Sequence, residues 1–500
     1  MNGVKLSIHS ISKVLTPSQL REIHKATTTI LETVGVVFEE EKALELFRNA
    51  GARVNDTVVR LSPEMVEELI KRCPYKITLH AKNPKKSVLL GRNRVHYTNG
   101  YGTTFVKDLE TGKIREARLD DLRDFTRLGD SLDNVHYICT QVIPQDVPTE
   151  AADVHQALTL LKYTEKHVGL SVTKGTYLDQ VIQIGRLASG MDPEGEKKGN
   201  FAFSLGAVPI TPLRYSKDGV GRILKLAKEE IVTRIASGAT NGATSPVSLS
   251  GTLAVQNAEV IAGICLVQIV NPGCPVIYGT FAGPLDMLRG KQLWAAPESS
   301  IMNAATAQLC RFYKIPFGYG TGGVADSAES DIQAGIEKTY TLLYTALSGV
   351  DVIHDAIGGL LGTAMISSYE QMLIDHEICN MVNRGLKGVL VNADTLALDV
   401  ITEAGHHGNY LSSEHTYRHF KKELFLPEFL DHRSFKEKNE GESEVLQTAH
   451  RRVKRILEEH QPRPLRPEVE EKMDNILKHV LKEIGVDGLA CAQLSERDRK

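Results

Sequence analysis

From about Val135 to Arg384 the chain repeats one unit: a short apolar run of strand length, then a longer stretch with helical spacing. The strand-like runs are residues 137–143, 167–172, 201–207, 231–237, 275–281, 316–320 and 350–356. Helical patterns cover 151–164, 178–188, 299–313, 331–347 and 369–384. Strands that alternate with helices pair in parallel, because each crossover returns the chain to the same end of the sheet. Seven such units match an α/β protein built as a TIM (β/α)8 barrel, with the eighth strand expected near 388–391 or in the loop-rich stretch after it.

The flanks read differently. Residues 1–130 are expected to form an N-terminal α+β extension, 131–435 the barrel, and 436–500 a C-terminal helical segment and tail. Thr16-Pro17-Ser18-Gln19 starts a helix: Thr16 can cap, Pro17 suits the first turn and Gln19 can complete a capping box. Leu20, Ile23, Ile30, Leu31 and Val34 follow, and Gly35 stops the run. A second helix is expected from Ser62-Pro63 to Arg72, then a strand over 75–80. Two charged helices are expected at 442–459 and 467–483, with a disordered tail over 495–500.

Composition removes several function classes. A net charge of −3 supplies no basic field for nucleic acid or anionic lipid. The first twelve residues hold scattered charge and no apolar run of signal-peptide length. The apolar stretch 252–270 contains Gln256, Asn257, Glu259 and Gln268, which predicts a buried helix rather than a membrane span. The 7 cysteines are scattered without a CxxC pair, as expected of reduced thiols in a cytoplasmic protein.

In a barrel of this type the chemistry sits on the loops after the strands. Those loops carry Asn241-Gly242-Ala243-Thr244, Tyr278-Gly279-Thr280-Phe281-Ala282-Gly283, Gly318-Tyr319-Gly320-Thr321-Gly322-Gly323 and His354-Asp355. The 318–323 run lacks the Lys-Ser/Thr of a phosphate loop, so nucleotide binding is not expected. His354-Asp355 reads equally as a site pair or as a solvated helix entry. Tyr97, Tyr101, Phe105, Tyr278, Phe281, Phe317 and Tyr319 lie in or beside candidate loops; each alone is more often core than ligand cage. His406, His407, Glu414, His415 and His419 form a cluster, but Thr416 stands where a zinc-protease helix needs glutamate. A surface cluster is expected there, and no metal is assigned.

Seven motifs then run through the chain in order. They are Tyr97-Thr98-Asn99-Gly100-Tyr101-Gly102-Thr103-Thr104-Phe105-Val106, Asp108-Leu109-Glu110-Thr111-Gly112-Lys113, Gly322-Gly323-Val324-Ala325-Asp326-Ser327 and Asp331-Ile332-Gln333-Ala334-Gly335-Ile336-Glu337. They continue with Glu370-Gln371-Met372-Leu373-Ile374-Asp375, Thr395-Leu396-Ala397-Leu398-Asp399-Val400-Ile401 and His415-Thr416-Tyr417-Arg418-His419-Phe420. Together they resemble the trimethylamine methyltransferase superfamily, in the non-pyrrolysine branch that includes glycine betaine methyltransferases. Two departures stand out. Only standard residues occur, whereas the family's trimethylamine enzymes carry pyrrolysine, so trimethylamine is not the expected substrate. Gly405-His406-His407-Gly408 replaces a Gly-Pro-Gly-Gly-like turn.

The resemblance implies a TIM barrel that moves an N-methyl group from a quaternary amine to the Co(I) of a cognate corrinoid protein. A further enzyme would pass the methyl to tetrahydrofolate or a thiol, in one-carbon metabolism or methanogenesis. The chain itself is expected to bind no cofactor tightly; the corrinoid arrives with its protein. Glycine betaine is favoured, with proline betaine, carnitine and γ-butyrobetaine as competitors. Tyr97, Tyr101, Phe281, Tyr319 and His354 are expected at the ammonium end. Arg289, His415 and Arg418 are candidates for a carboxylate, and His354 and Asp355 for the catalytic pair. No nucleic-acid or membrane partner is expected, and self-association is. The alternatives are a betaine-binding protein without turnover and a metal-dependent barrel hydrolase using the His406 to His419 cluster.

Overall fold

The computed structural model describes residues 3–5, 12–91, 94–191, 199–434 and 445–486. Eight parallel strands close into a barrel. In chain order they are β1 (Arg94–Thr98), β2 (Val135–Cys139), β3 (His167–Leu170), β4 (Phe203–Ala207), β5 (Thr233–Ser237), β6 (Val276–Thr280), β7 (Phe317–Thr321) and β8 (Val352–His354). Closure comes from β8 pairing with β1, Val352 opposite His96 and Ile353 opposite Tyr97. The crossover helices are α1 (Leu119–Ser131), α2 (Ala152–Lys162), α3 (Leu178–Ala188), α4 (Lys217–Glu229), α5 (Leu249–Val270), α6 (Pro297–Tyr313) and α7 (Ile332–Leu347), and α8 (Tyr369–Leu386) follows β8.

The eighth strand is not where the hydropathy pattern put it. Residues 388–391 are an exposed loop, and the missing strand is β1, inside the stretch read as an N-terminal extension. Arg94 and His96 break its apolar pattern. His96 packs against His136 and reaches the Leu89 carbonyl, so a buried polar contact holds a position that the pattern reserves for Val or Ile.

One end of the barrel is plugged. The hairpin of Ile77–Leu79 with Val88–Leu90 packs Ile77, Leu79, Val88 and Leu90 against Tyr137, Cys139, Ile277 and Val352. Ligand access is thereby left to the other end, where the strands end.

Helix α5 is the one described helix long and apolar enough to cross a membrane, yet 83% of its apolar window is buried within the protein. Its polar groups explain why it belongs in a core. Gln256 donates to Thr306 and accepts from Thr280, while Asn257 bonds Thr27, Tyr313 and Tyr278. Glu259 accepts from Ser237, Thr211 and the Leu213 amide. Each would lose its partner in lipid.

The N-terminal helix forms as its sequence suggests. Pro17–Thr29 begins with the Thr16–Gln19 capping box, passes into a π-helical turn at Ile30–Val34 and stops at Gly35, whose φ of 81° suits glycine alone among common residues. Pro63–Lys71 is capped by Ser62. Val445–Glu459 and Pro467–Glu483 pack back on the barrel: His450 meets Glu370, His460 meets Asp130 and Lys162 meets Asp474. The start of the first of these helices, expected from 442, and the tail over 495–500 lie outside the described residues. Six described cysteines lie outside any disulfide.

Candidate active site at the barrel mouth

Aromatic rings converge where β6, β7, β8 and the loop after β1 end. Tyr319 of β7 and His354 of β8 stack with centroids 3.8 Å apart. Tyr101 meets Tyr319 edge-on at 6.2 Å and His354 at 5.5 Å, and its hydroxyl donates to Ser171 Oγ at 2.6 Å. Phe281 stands 6.0 Å from Tyr319 and 6.2 Å from Trp294. Small residues make the room: a Cβ on Gly238 would fall 2.0 Å from the Phe281 ring, and one on Gly279 would fall 2.6 Å from Tyr319 Cβ. Tyr101, Phe281 and Trp294 stay partly exposed, Tyr319 is nearly buried and His354 is buried.

His354 carries a charge here. Its Nδ1 lies 2.7 Å from Asp355 Oδ1. Burial works against protonation, but the Asp355 carboxylate, together with Cys139 beside the ring, outweighs it and the imidazole is raised to about 9. At neutral pH Nε2 is therefore a donor that makes no well-formed hydrogen bond, with the Cys139 thiol as the other polar group beside the ring. Asp355 sits at φ 68°, a region few non-glycine residues occupy, so the turn that delivers this carboxylate is conformationally constrained.

Deeper in the barrel lies a group that the expected site lacks. Arg234, second residue of β5, is 2% exposed. Nη2 donates to the Leu170 carbonyl at 3.0 Å, and the guanidinium carbon is 5.9 Å from the Tyr319 ring centroid. Nε and Nη1 make no well-formed hydrogen bond, and the polar side chains that act on the group are Cys139, Tyr101, Tyr137 and Tyr319 rather than a carboxylate. Tyr137 also interacts with Arg234 through its side chain, although its hydroxyl makes no well-formed hydrogen bond. Gly169 accommodates the guanidinium, since a Cβ there would sit 3.2 Å from Nη1 and 3.0 Å from Cys139 Sγ. A buried cation with two free N–H groups is an anion site in waiting. A single arginine inside the apolar run 231–237 was the signal for it in the sequence.

The motifs after β7 and β8 hold the mouth in place. Lys338 Nζ donates to the Gly323 carbonyl at 2.6 Å and to Asp375 Oδ2 at 3.0 Å, and the same oxygen accepts from the Gly359 amide. Glu337 accepts from the Asp326 and Ser327 amides, and Asp331 caps α7. The loops that follow Tyr319 and His354 are thus tied to each other through α7 and α8.

Of the residues singled out in the sequence, Tyr101, Phe281, Tyr319, His354 and Asp355 come together. Tyr97 points outward from the barrel, its hydroxyl donating to Asn383 of α8 at 2.7 Å. Tyr278 likewise turns outward to Asn257 and packs on Phe317. Arg289 is an exposed residue of the hairpin after β6, paired with Asp286 of its own turn. His415 and Arg418 lie on the helix Glu414–Glu423. That segment follows α8, whose C-terminal end lies at the opposite face of the barrel. The histidine cluster is therefore not at the mouth, and the hydrolase alternative has no metal-binding group there among the described residues.

Residues 4–485 match the model of a family described as trimethylamine methyltransferase (MTTB). A glycine betaine methyltransferase of Desulfitobacterium hafniense (strain Y51) is 36% identical over 475 residues, 94% of this chain and 98% of that protein. The trimethylamine methyltransferase MttB of Desulfitobacterium hafniense (strain DSM 10664 / DCB-2) is 33% identical, with 94% of each chain covered. MttB of Methanosarcina barkeri (strain Fusaro / DSM 804) is 31% identical over 95% of this chain and 96% of its own. Among solved structures, the hydroxylamine MtmB complex aligns with a TM-score of 0.48 at 13% identity, covering 88% of this chain and 92% of that one.

Proposed function

The chain belongs to the trimethylamine methyltransferase family, and from that premise we propose that it transfers an N-methyl group from a betaine, glycine betaine first, to the Co(I) of a cognate corrinoid protein. One observation carries the choice of substrate: the buried, unpaired guanidinium of Arg234 beneath a cluster of aromatic rings. A zwitterion with a carboxylate at one end and a quaternary ammonium at the other answers both features. The carboxylate takes Arg234 and the Nε2–H of His354; the ammonium rests against Tyr101, Phe281 and Trp294. A methylamine without an anion would leave the arginine unsatisfied.

The orientation follows from depth. Arg234 is near the start of its strand and the rings are at the strand ends, so an N-methyl group faces the mouth. The corrinoid supplies a nucleophile that takes the methyl carbon while the C–N electron pair stays on nitrogen. The leaving amine is neutral, so no residue of this chain has to protonate it. The protein's work is to bind, orient and exclude water.

The face around the mouth suits a docked protein. Val208, Val247, Met287, Leu288, Ile332 and Met365, each from a loop or helix start after a strand, are all exposed. A ring of apolar side chains at a polar-rimmed mouth is what a transient protein partner covers. Such a face supports the reading that the acceptor corrinoid is carried by a separate protein. Self-association fits the apolar residues exposed over 387–428.

Incubating the enzyme with its reduced corrinoid protein and a panel of quaternary amines, and measuring the demethylated amine, tests the reading. Dimethylglycine from glycine betaine is expected. Binding by calorimetry without product from any betaine would favour the non-turnover alternative. Turnover of tetramethylammonium in preference to every betaine would refute the role given to Arg234.

A further inference from the structure

Residues 387–428 contain three helices, Ala393–Leu396, Leu398–Ala404 and Glu414–Glu423, and not one buried residue. Such a segment has no core of its own to offset the entropy of ordering its backbone. Small units in that position are commonly held by a staple, and this one has the parts.

His415 and His419 are one helical turn apart and share a face, their rings stacked at 4.3 Å. Asp394, from the first of the three helices, reaches that face. Its Oδ2 lies 3.0 Å from His419 Nε2, and its backbone carbonyl lies 3.0 Å from His415 Nε2. One donor atom from each of Asp394, His415 and His419 falls within 4.8 Å of the others. Two ligands on a tetrahedral zinc ion stand about 3.3 Å apart, so the donors need to move little. The other carboxylate oxygen, Oδ1, is 3.5 Å from Arg418 Nη1, an outer contact that fixes the carboxylate's direction.

We propose that Asp394, His415 and His419 bind a borderline divalent transition ion of the zinc class, which staples the turn at Ala393–Leu396 to the helix Glu414–Glu423. Two imidazoles and one carboxylate suit zinc better than calcium or magnesium, which prefer all-oxygen shells. The fourth position is left to water or to a group from a partner. The site is structural: it lies at the end of the barrel away from the mouth and takes no part in methyl transfer. The sequence shows the two histidines but not their third ligand, since Asp394 is 21 residues from His415.

The full-length chain, made without an affinity tag and stripped by a chelator, is titrated with Co2+ and then Zn2+, in the absence of corrinoid. A visible ligand-field band saturating at one Co2+ per chain and bleached by Zn2+ is expected. The His415→Ala/His419→Ala variant should bind zinc roughly 100-fold more weakly or worse, while His406→Ala/His407→Ala keeps the band. On the wild-type chain, which needs no variant to fold, zinc should slow proteolysis within 387–428 at least several-fold. No stoichiometric ion on the wild type, or an unchanged band in the His415/His419 variant, would overturn the site. Binding with no change in proteolysis would overturn its role as a staple.

Discussion

Tyr319 and His354, side by side on β7 and β8, stack with ring planes only 22° apart, and Asp355 holds the imidazole by Nδ1. The aromatic face and the carboxylate both favour the charged ring. A histidine whose folded pKa, about 9, exceeds its free value of 6.5 adds stability that is fully present below pH 6.5. That contribution declines as pH rises and is lost through pH 9. The melting temperature should fall between about pH 6.5 and 9 and betaine affinity between about pH 8 and 10, and His354→Gln should flatten both profiles in those windows. An unchanged affinity profile in the variant would remove His354 from the carboxylate site.

Arg234→Met separates function from stability. Losing a charge-assisted contact to the substrate carboxylate should lower kcat/KM by roughly 100-fold. The ligand-free protein should melt at the same temperature or higher, because an unpaired buried charge has been replaced by an apolar chain. Kinetics and calorimetry on the same preparation check both halves, and a variant with normal kinetics defeats the assignment.

Gly169→Ala should act through its neighbour. The new Cβ, 3.2 Å from Arg234 Nη1 and 3.0 Å from Cys139 Sγ, forces the guanidinium aside. Overpacking of this kind costs about 1–3 kcal/mol of stability. KM for betaine should rise about tenfold with a smaller change in kcat. A loss of stability with unaltered KM would show that the arginine does not touch substrate.

Leu288, 91% exposed beside the mouth, offers a probe of the docking face. Leu288→Asp should raise KM for the corrinoid protein by roughly tenfold and leave betaine affinity unchanged. Calorimetry with betaine alone and steady-state titration of the corrinoid protein distinguish the two. An unaltered KM would move the interface elsewhere.

Lys338 and Asp375, both about 1% exposed, form the pair that links the loops after β7 and β8. Burial lowers the lysine pKa and raises that of the aspartate, so each needs the other to remain charged. Lys338→Met leaves Asp375 unpaired and should cost about 3–5 kcal/mol. Denaturant titration measures it; a change below 1 kcal/mol would show that Asp375 is held neutral.

Much of the architecture could be read along the chain because its signals are local. A capping box at Thr16, glycine at 35 and the apolar runs that become β2 to β8 depend on residues only a few positions apart. Strand β1 escaped because Arg94 and His96 interrupt its apolar run, and the His96 ring is buried by packing on His136, 40 residues away. Tyr97 was expected in the site on its motif alone, but the direction of alternate strand residues turns it toward Asn383.

The site divides along the same line. His354, Asp355, Tyr101, Phe281 and Tyr319 were visible as polar and aromatic residues at strand ends. Arg234, Gly169 and Trp294 have meaning only once eight strands enclose a common interior. The order of strands and helices, set by the spacing of apolar residues, was enough to specify a barrel and which end of it would react. Only closure of β8 onto β1 decided which side chains share that interior, because burial without a partner is a property of three-dimensional neighbours and leaves no trace in the spacing of residues.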